Sequence, residues 1–133
     1  MLAMRCLALC MLLLAACEDL SEPAEPVWNK QPCAHCHMLV SDPRYAAQLV
    51  TRSRQRLYFD DPGCLAAYLH AHASQVAHAW VYGASGWLRP ESARFRADQS
   101  SPMGYGFLTD PSGEHDFAAV TRAALAPRDR GAP

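Results

Sequence analysis

The sequence predicts an α+β fold in which two similar small strand–strand–helix halves form one compact domain. Three observations carry that expectation. Short runs rich in β-branched and aromatic residues recur along the chain. Two Asp-Pro pairs, Asp61-Pro62 and Asp110-Pro111, each precede a stretch with apolar residues at helical spacing. Beyond the N-terminal segments roughly one hundred residues remain, enough for one domain with a modest core.

The chain opens with Arg5 and an apolar run from Cys6 to Ala16. That run is too short to span a bilayer and has the length of a signal-peptide core. It ends Leu14-Ala15-Ala16-Cys17, which resembles the bacterial lipobox: small residues before a cysteine that is acylated and becomes the new N-terminus. Residues 1–16 then read as a lipoprotein signal peptide and Cys17 as the lipidation site. More than one acyl chain on that cysteine anchors a protein stably without a transmembrane helix. Residues 17–26, with the acidic, proline-containing stretch Glu18 to Pro26, read as a lipid-anchored flexible linker. The folded domain is expected over residues 27–127, and residues 128–133 as a disordered tail.

Loss of the leader removes Arg5 and no acidic residue, which moves the formal charge from -1 to -2. No basic face emerges, so nucleic acid is excluded as a partner. Of six cysteines, Cys6 and Cys10 leave with the leader and Cys17 is acylated, leaving Cys33, Cys36 and Cys64. An odd number in an exported chain argues against a plain disulfide framework and for a functional thiol.

Arg44 to Thr51 and Gln55 to Asp60 read as two strands joined by the basic turn Arg52-Ser53-Arg54. Asp61 then serves as N-cap with Pro62 at the first helical position, and Leu65, Tyr68 and Leu69 give the following helix one apolar face. Val76 to Tyr82 alternates as a strand and ends in the turn Gly83 to Gly86. Ala93 to Ala97 and Tyr105 to Thr109 are expected as short strands, and Asp110-Pro111 as the start of a helix continuing from Phe117 to Leu125. Strand, strand, Asp-Pro, helix thus occurs twice, a weak internal repeat.

Chemistry concentrates in Pro32-Cys33-Ala34-His35-Cys36-His37-Met38, which offers two thiols, two imidazoles and a thioether. The stretch lies between a proline-bounded linker and the first strand, which predicts a surface loop. Three chemistries compete for it. Cys33 and Cys36 have the spacing of a dithiol redox pair, although no helix N-terminus follows to lower a thiol pKa. Cys33, Cys36 and His37 match the attachment motif of a c-type haem electron carrier, with Met103 as axial ligand, although the strand-rich pattern departs from small helical cytochromes. Cu(I) prefers thiolate and thioether, accepts imidazole, and is satisfied by two or three ligands. Cys36 and Met38 with a third group would suffice, and Met103, in the polar glycine-rich loop from Ser100 to Gly106, is out of place as a core methionine. His35 and His37 lie within reach of any ion in the loop. Cys64, in the first turn of its helix, is an auxiliary thiol. His70, His72, His78 and His115 read as structural or solvated, and Asp60-Asp61 as capping and solvation.

Cys17, Cys33-x-x-Cys36-x-Met38, Asp42 to Gln48, Tyr58 to Cys64 and Ser101 to Phe107 occur together and in this order. The set resembles the NosL family, accessory lipoproteins of bacterial nitrous oxide reductase, across nearly the whole mature chain. The resemblance implies a membrane-anchored Cu(I) metallochaperone and not an enzyme. By the same resemblance the domain is expected to face the periplasm, with apo nitrous oxide reductase or its copper-supply transporter complex as partner. The resemblance further implies a fold of two strand–strand–helix halves and, by motif position, Cys36, Met38 and Met103 as copper ligands; Cys33 or a nearby histidine is expected to assist them. The family is similar in fold to organomercurial lyases, which keeps a thiol-based mercury enzyme as a distant alternative. Two departures stand out. Relatives usually have glycine where this chain has His37, and some carry a histidine at the position of Tyr105, for which His37 or His35 would substitute.

Overall fold

Asp-Pro pairs punctuate the chain, because an aspartate in extended conformation accepts from the backbone ahead of it while proline presets the first helical dihedral. The computed structural model describes residues 17–128. The expected signal peptide and all but Arg128 of the expected tail lie outside the described residues. Asp42 caps a short 3-10 turn, Pro43–Tyr45, its side chain accepting from Arg44 N–H. Then come β1 (Ala47–Thr51), β2 (Arg56–Phe59), α1 (Pro62–His72), β3 (Val76–Gly83), β4 (Gly86–Leu88), β5 (Phe95–Ala97), β6 (Phe107–Thr109) and α2 (Phe117–Leu125). The first strand starts three residues later than its apolar run implies, because the capped turn occupies that length.

Four strands pair antiparallel in the order β2-β1-β3-β4, and β5 and β6 form a second, two-stranded sheet. The architecture is α+β, with an antiparallel strand pair leading into each helix. The β3–β4 hairpin extends the first sheet rather than the second. One correction concerns the second helix. Its cap is Asp116, which accepts from Ala119 N–H at 2.9 Å, whereas Asp110 closes a turn by accepting from Ser112. Asp110-Pro111 therefore starts a turn, and the helix begins six residues later.

Register sorts the sheet residues onto two faces. Ala47 opposite Phe59 and Leu49 opposite Leu57 share one face, and Gln48 opposite Tyr58 and Val50 opposite Arg56 share the other. The first face joins Leu65, Ala66, Val81, Phe95 and Val120 in the main core, with α1 and α2 packed together over it. Each fully buried large side chain there is worth about 1.5–3 kcal/mol.

The second face carries the larger surprise. Residues 18–26, expected as a flexible linker, lie along it as a strap. Gln48, fully buried, exchanges two hydrogen bonds with the backbone of Ala24, at 3.1 and 3.0 Å. Arg56, its side chain 6% exposed, pairs with Glu18 at 2.7 Å and donates to the carbonyls of Asp19 and Glu22. Tyr58 Oη reaches the carbonyls of Ala24 and Glu25, and Trp87 Nε1 donates to Glu25 at 2.9 Å. Beside the strap, Trp28, Tyr58, Tyr82 and Trp87 pack around Val40 and Ala46. The folded part thus begins near Glu18 rather than Val27. A composition poor in apolar side chains does not make a segment free when the sheet offers buried polar partners for its backbone.

Candidate metal centre

Residues 29–40 form a tight reversal fastened by its own backbone. Asn29 N–H donates to Val40 O and Val40 N–H to Gln31 O, while Cys33 N–H donates to Met38 O at 2.7 Å and His37 N–H to Cys33 O at 3.0 Å. Cys33 also bridges to Tyr58 in parallel fashion, with Ala34 N–H donating to Tyr58 O at 2.8 Å. This registers the turn against the end of β2. Within the turn, Cys36 N–H points at Cys33 Sγ, 3.5 Å away, and the chain reverses at His37 with φ 68°. A peptide dipole aimed at sulfur favours thiolate.

The end of β2 and the start of α1 supply the other side. Asp60 is 4% exposed, and Asp61 caps α1 through Gly63 N–H at 2.8 Å. Cys64 follows in the first turn, fully buried. The Sγ atoms of Cys33, Cys36 and Cys64 and a carboxylate oxygen of Asp60 all lie within 4.8 Å of one another. Two donors on one ion at thiolate distance, about 2.3 Å, stand at most about 4.6 Å apart. That is the limit for two donors in line; three or four donors at that distance stand about 3.8–4.0 Å apart, so the widest-set groups close by up to about 1 Å to share a metal.

Proton positions in the cluster follow from its hydrogen bonds. Cys64 S–H donates to Cys33, and with the amides of Cys36, Asp60 and His35 also directed at that sulfur, the Cys33 pKa falls to about 7 despite burial. Cys36 is pushed up to about 12, first by burial and then by the hydrogen bond its thiol donates to Asp60 Oδ1 at 3.0 Å. The Cys64 pKa is pushed far up by the proton it gives Cys33 and by burial. Cys33 is thus the most readily ionised of the three thiols. A soft cation entering past the half-buried Cys36 meets a sulfur that gives up its proton near neutral pH.

Not every residue singled out in the sequence meets there. Cys33 is fully buried, which corrects the surface-loop expectation: the turn is superficial but its first cysteine points into the core. Covalent haem attachment needs both thiols to reach a large ring, and a fully buried Cys33 does not offer that. Met38 is 59% exposed, and His35 and His37 are exposed, so these three stand at the rim. Met103 is half-buried against the core cluster that contains Cys33 and Cys64, and its N–H donates to Asp61 Oδ2 at 3.0 Å. The cap of α1 therefore also holds the Met103 loop. Tyr105 lies over Gly63, so close that a Cβ there would collide with its ring, and its hydroxyl is 3.4 Å from His35 Nε2. Arg128 stacks over the Tyr105 ring and donates to Met103 O at 3.0 Å, so the expected disordered tail begins with an anchored residue. Asp60, for which the sequence suggests only capping and solvation, is the buried carboxylate of the cluster. The available signal was two consecutive aspartates where one suffices as a cap.

A scan against protein-family models gives no match, and a comparison with curated proteins gives none. Among solved structures the chain is similar to the crystal structure of the copper chaperone NosL from Shewanella denitrificans, with 18% sequence identity, a TM-score of 0.59, and coverage of 75% of this chain and 87% of that one. The chain has the α+β fold of NosL.

Proposed function

We propose that this protein is a Cu(I) metallochaperone. It would be anchored to a bacterial membrane through lipid on Cys17, face the periplasm, and hand copper to apo nitrous oxide reductase or to the transporter complex that supplies it. The observation that carries the reading is the convergence of Cys33, Cys36 and Cys64 with Asp60 on a fold shared with a copper chaperone. Cu(I) is cargo. Soft sulfur donors select it over hard cations, and its tolerance of two or three ligands suits stepwise exchange with an acceptor. Cys36, the half-buried thiol, is the entry ligand. Cys33 and Cys64 hold the ion from beneath, Met103 flanks it, and Met38, His35 and His37 at the rim meet it as it enters or leaves.

Reduced protein titrated with Cu(I) against a competing chelator tests this. One ion per chain is expected. Cys36→Ser and Cys64→Ser are each expected to cost more than the roughly 10–100-fold that loss of a supporting outer-shell group costs. Unchanged affinity in both variants would overturn the site. Covalently retained haem, seen as a Soret band, would overturn the copper reading itself.

A further inference from the structure

The strap, the Arg52-Ser53-Arg54 turn and the cysteine cluster occupy defined places on the first sheet. β2 begins beside the turn at Arg56, which is paired with Glu18, the residue next to Cys17. It ends at Phe59, next to Asp60 of the cluster. At about 3.3 Å per strand residue the cluster stands about 13 Å from Arg56 along the strand. Glu18, Asp19, Leu20 and Ser21 line one cleft, about 330 Å³, with Arg52 and Arg54. Arg52, Ser53 and Arg54 are exposed. Glu18 is satisfied by Arg56 and Asp19 by Ser21, whereas neither Arg52 nor Arg54 has an ion-pair partner among the described residues.

We propose that residues 18–26 act as a fixed mount that sets the Arg52–Arg54 turn against an anionic phospholipid surface and turns the cysteine cluster away from the bilayer. The inference rests on the anchor through Cys17 proposed above. A free tether would let the domain tumble beneath its lipid, whereas a strap held by Gln48, Arg56, Tyr58 and Trp87 leaves almost no slack between acyl chain and sheet. The end of the sheet beside the anchor must then face the headgroups, and its two guanidiniums, Arg52 held only by the Ser74 carbonyl and neither with a carboxylate partner among the described residues, attract anionic lipid there. The opposite end, with Cys36 and the rim residues, is left open to an acceptor in the aqueous phase.

Paramagnetic relaxation tests the orientation. The full lipoprotein, isolated from membranes, is reconstituted into bilayers of phosphatidylglycerol and phosphatidylethanolamine carrying a spin label on the headgroups. Amide signals of residues 52–54 are expected to lose most of their intensity while those of residues 33–38 keep theirs. Equal loss at both ends, or loss confined to residues 33–38, would overturn the mount. Replacing the anionic lipid by phosphatidylcholine is expected to reduce the loss at residues 52–54, and an unchanged pattern would overturn the charge contact. Arg56→Ala, which frees the strap, is expected to even out the pattern; where that variant does not fold, Trp87→Phe, which removes the Glu25 hydrogen bond while keeping an aromatic ring against Tyr82, is expected to shift it the same way, and an unchanged pattern in the folded variant would overturn the mount. Intact mass of the isolated chain separates the two levels. Acyl groups with uniform bleaching sink the orientation alone, whereas their absence from Cys17 sinks the anchor and the orientation with it.

Discussion

At His37 the backbone turns through φ 68°, a left-handed conformation that costs a residue with a Cβ about 1 kcal/mol and glycine almost nothing. His37→Gly is therefore expected to raise stability by about 1 kcal/mol in thermal melts. If Cu(I) affinity is unchanged as well, the imidazole is not a ligand. The glycine expected from family resemblance at this position thus has a backbone reason. Cys33 gives a pH signature. Its folded pKa, about 7, lies below the ordinary 9.0, so its stabilising contribution is complete above 9.0 and is lost as pH falls through about 7. The raised values of Cys36 and Cys64 act only above 9.0, so metal-free reduced protein is expected to gain stability from pH 7 to pH 9. Denaturation midpoints across that range check it, and Cys33→Ala is expected to abolish the slope. Asp60→Asn replaces the charged acceptor that holds the proton on Cys36 with a neutral amide, so the Cys36 pKa is expected to fall and its alkylation to quicken at neutral pH. Spacing alone exposed Cys33, Cys36 and Met38 as candidates. It could not show that Cys64 and Asp60 join them, because those contacts are made between a turn and a helix start far apart in the chain.

The start of α1 is where elements meet. Asp61 caps the helix with one carboxylate oxygen and holds Met103 N–H with the other, while Gly63 lets the Tyr105 ring lie against the helix. Asp61→Ala is expected to cost about 2 kcal/mol or more, since it removes a cap and leaves a second amide unpaired. Amide exchange should quicken at residues 101–106 as well as at the helix start, and exchange confined to the helix would show that the loop is held by other means. Elements with local signals were legible: capping chemistry marked α1, and alternation marked β3. The start of α2 was not, because Asp110-Pro111 carries the same local chemistry as Asp61-Pro62. The choice between them is made by packing, with Gly113 pressed against the Phe95 backbone so that the chain must finish its turn first.

Across the whole molecule the first sheet is covered on both faces, by helices on one and by the strap with its aromatic neighbours on the other. The helix-covered face was legible from apolar periodicity. The strap-covered face was not, because its partners Gln48, Arg56, Tyr58 and Trp87 hold the strap through polar atoms that water would satisfy as well. No helix among the described residues is long and apolar enough to cross a membrane. Tyr58 joins the two ends of the story: its hydroxyl reaches strap carbonyls at Ala24 and Glu25, and its own carbonyl receives Ala34 N–H from the cysteine turn. An opening that frees the strap at Tyr58 thus disturbs the turn that bears Cys33. A ligand that binds only the closed turn makes such openings rarer in proportion to its occupancy. Copper-loaded protein is therefore expected to resist limited proteolysis within residues 18–26 better than the metal-free form, which would make cleavage of a segment remote from the thiols a gauge of cargo.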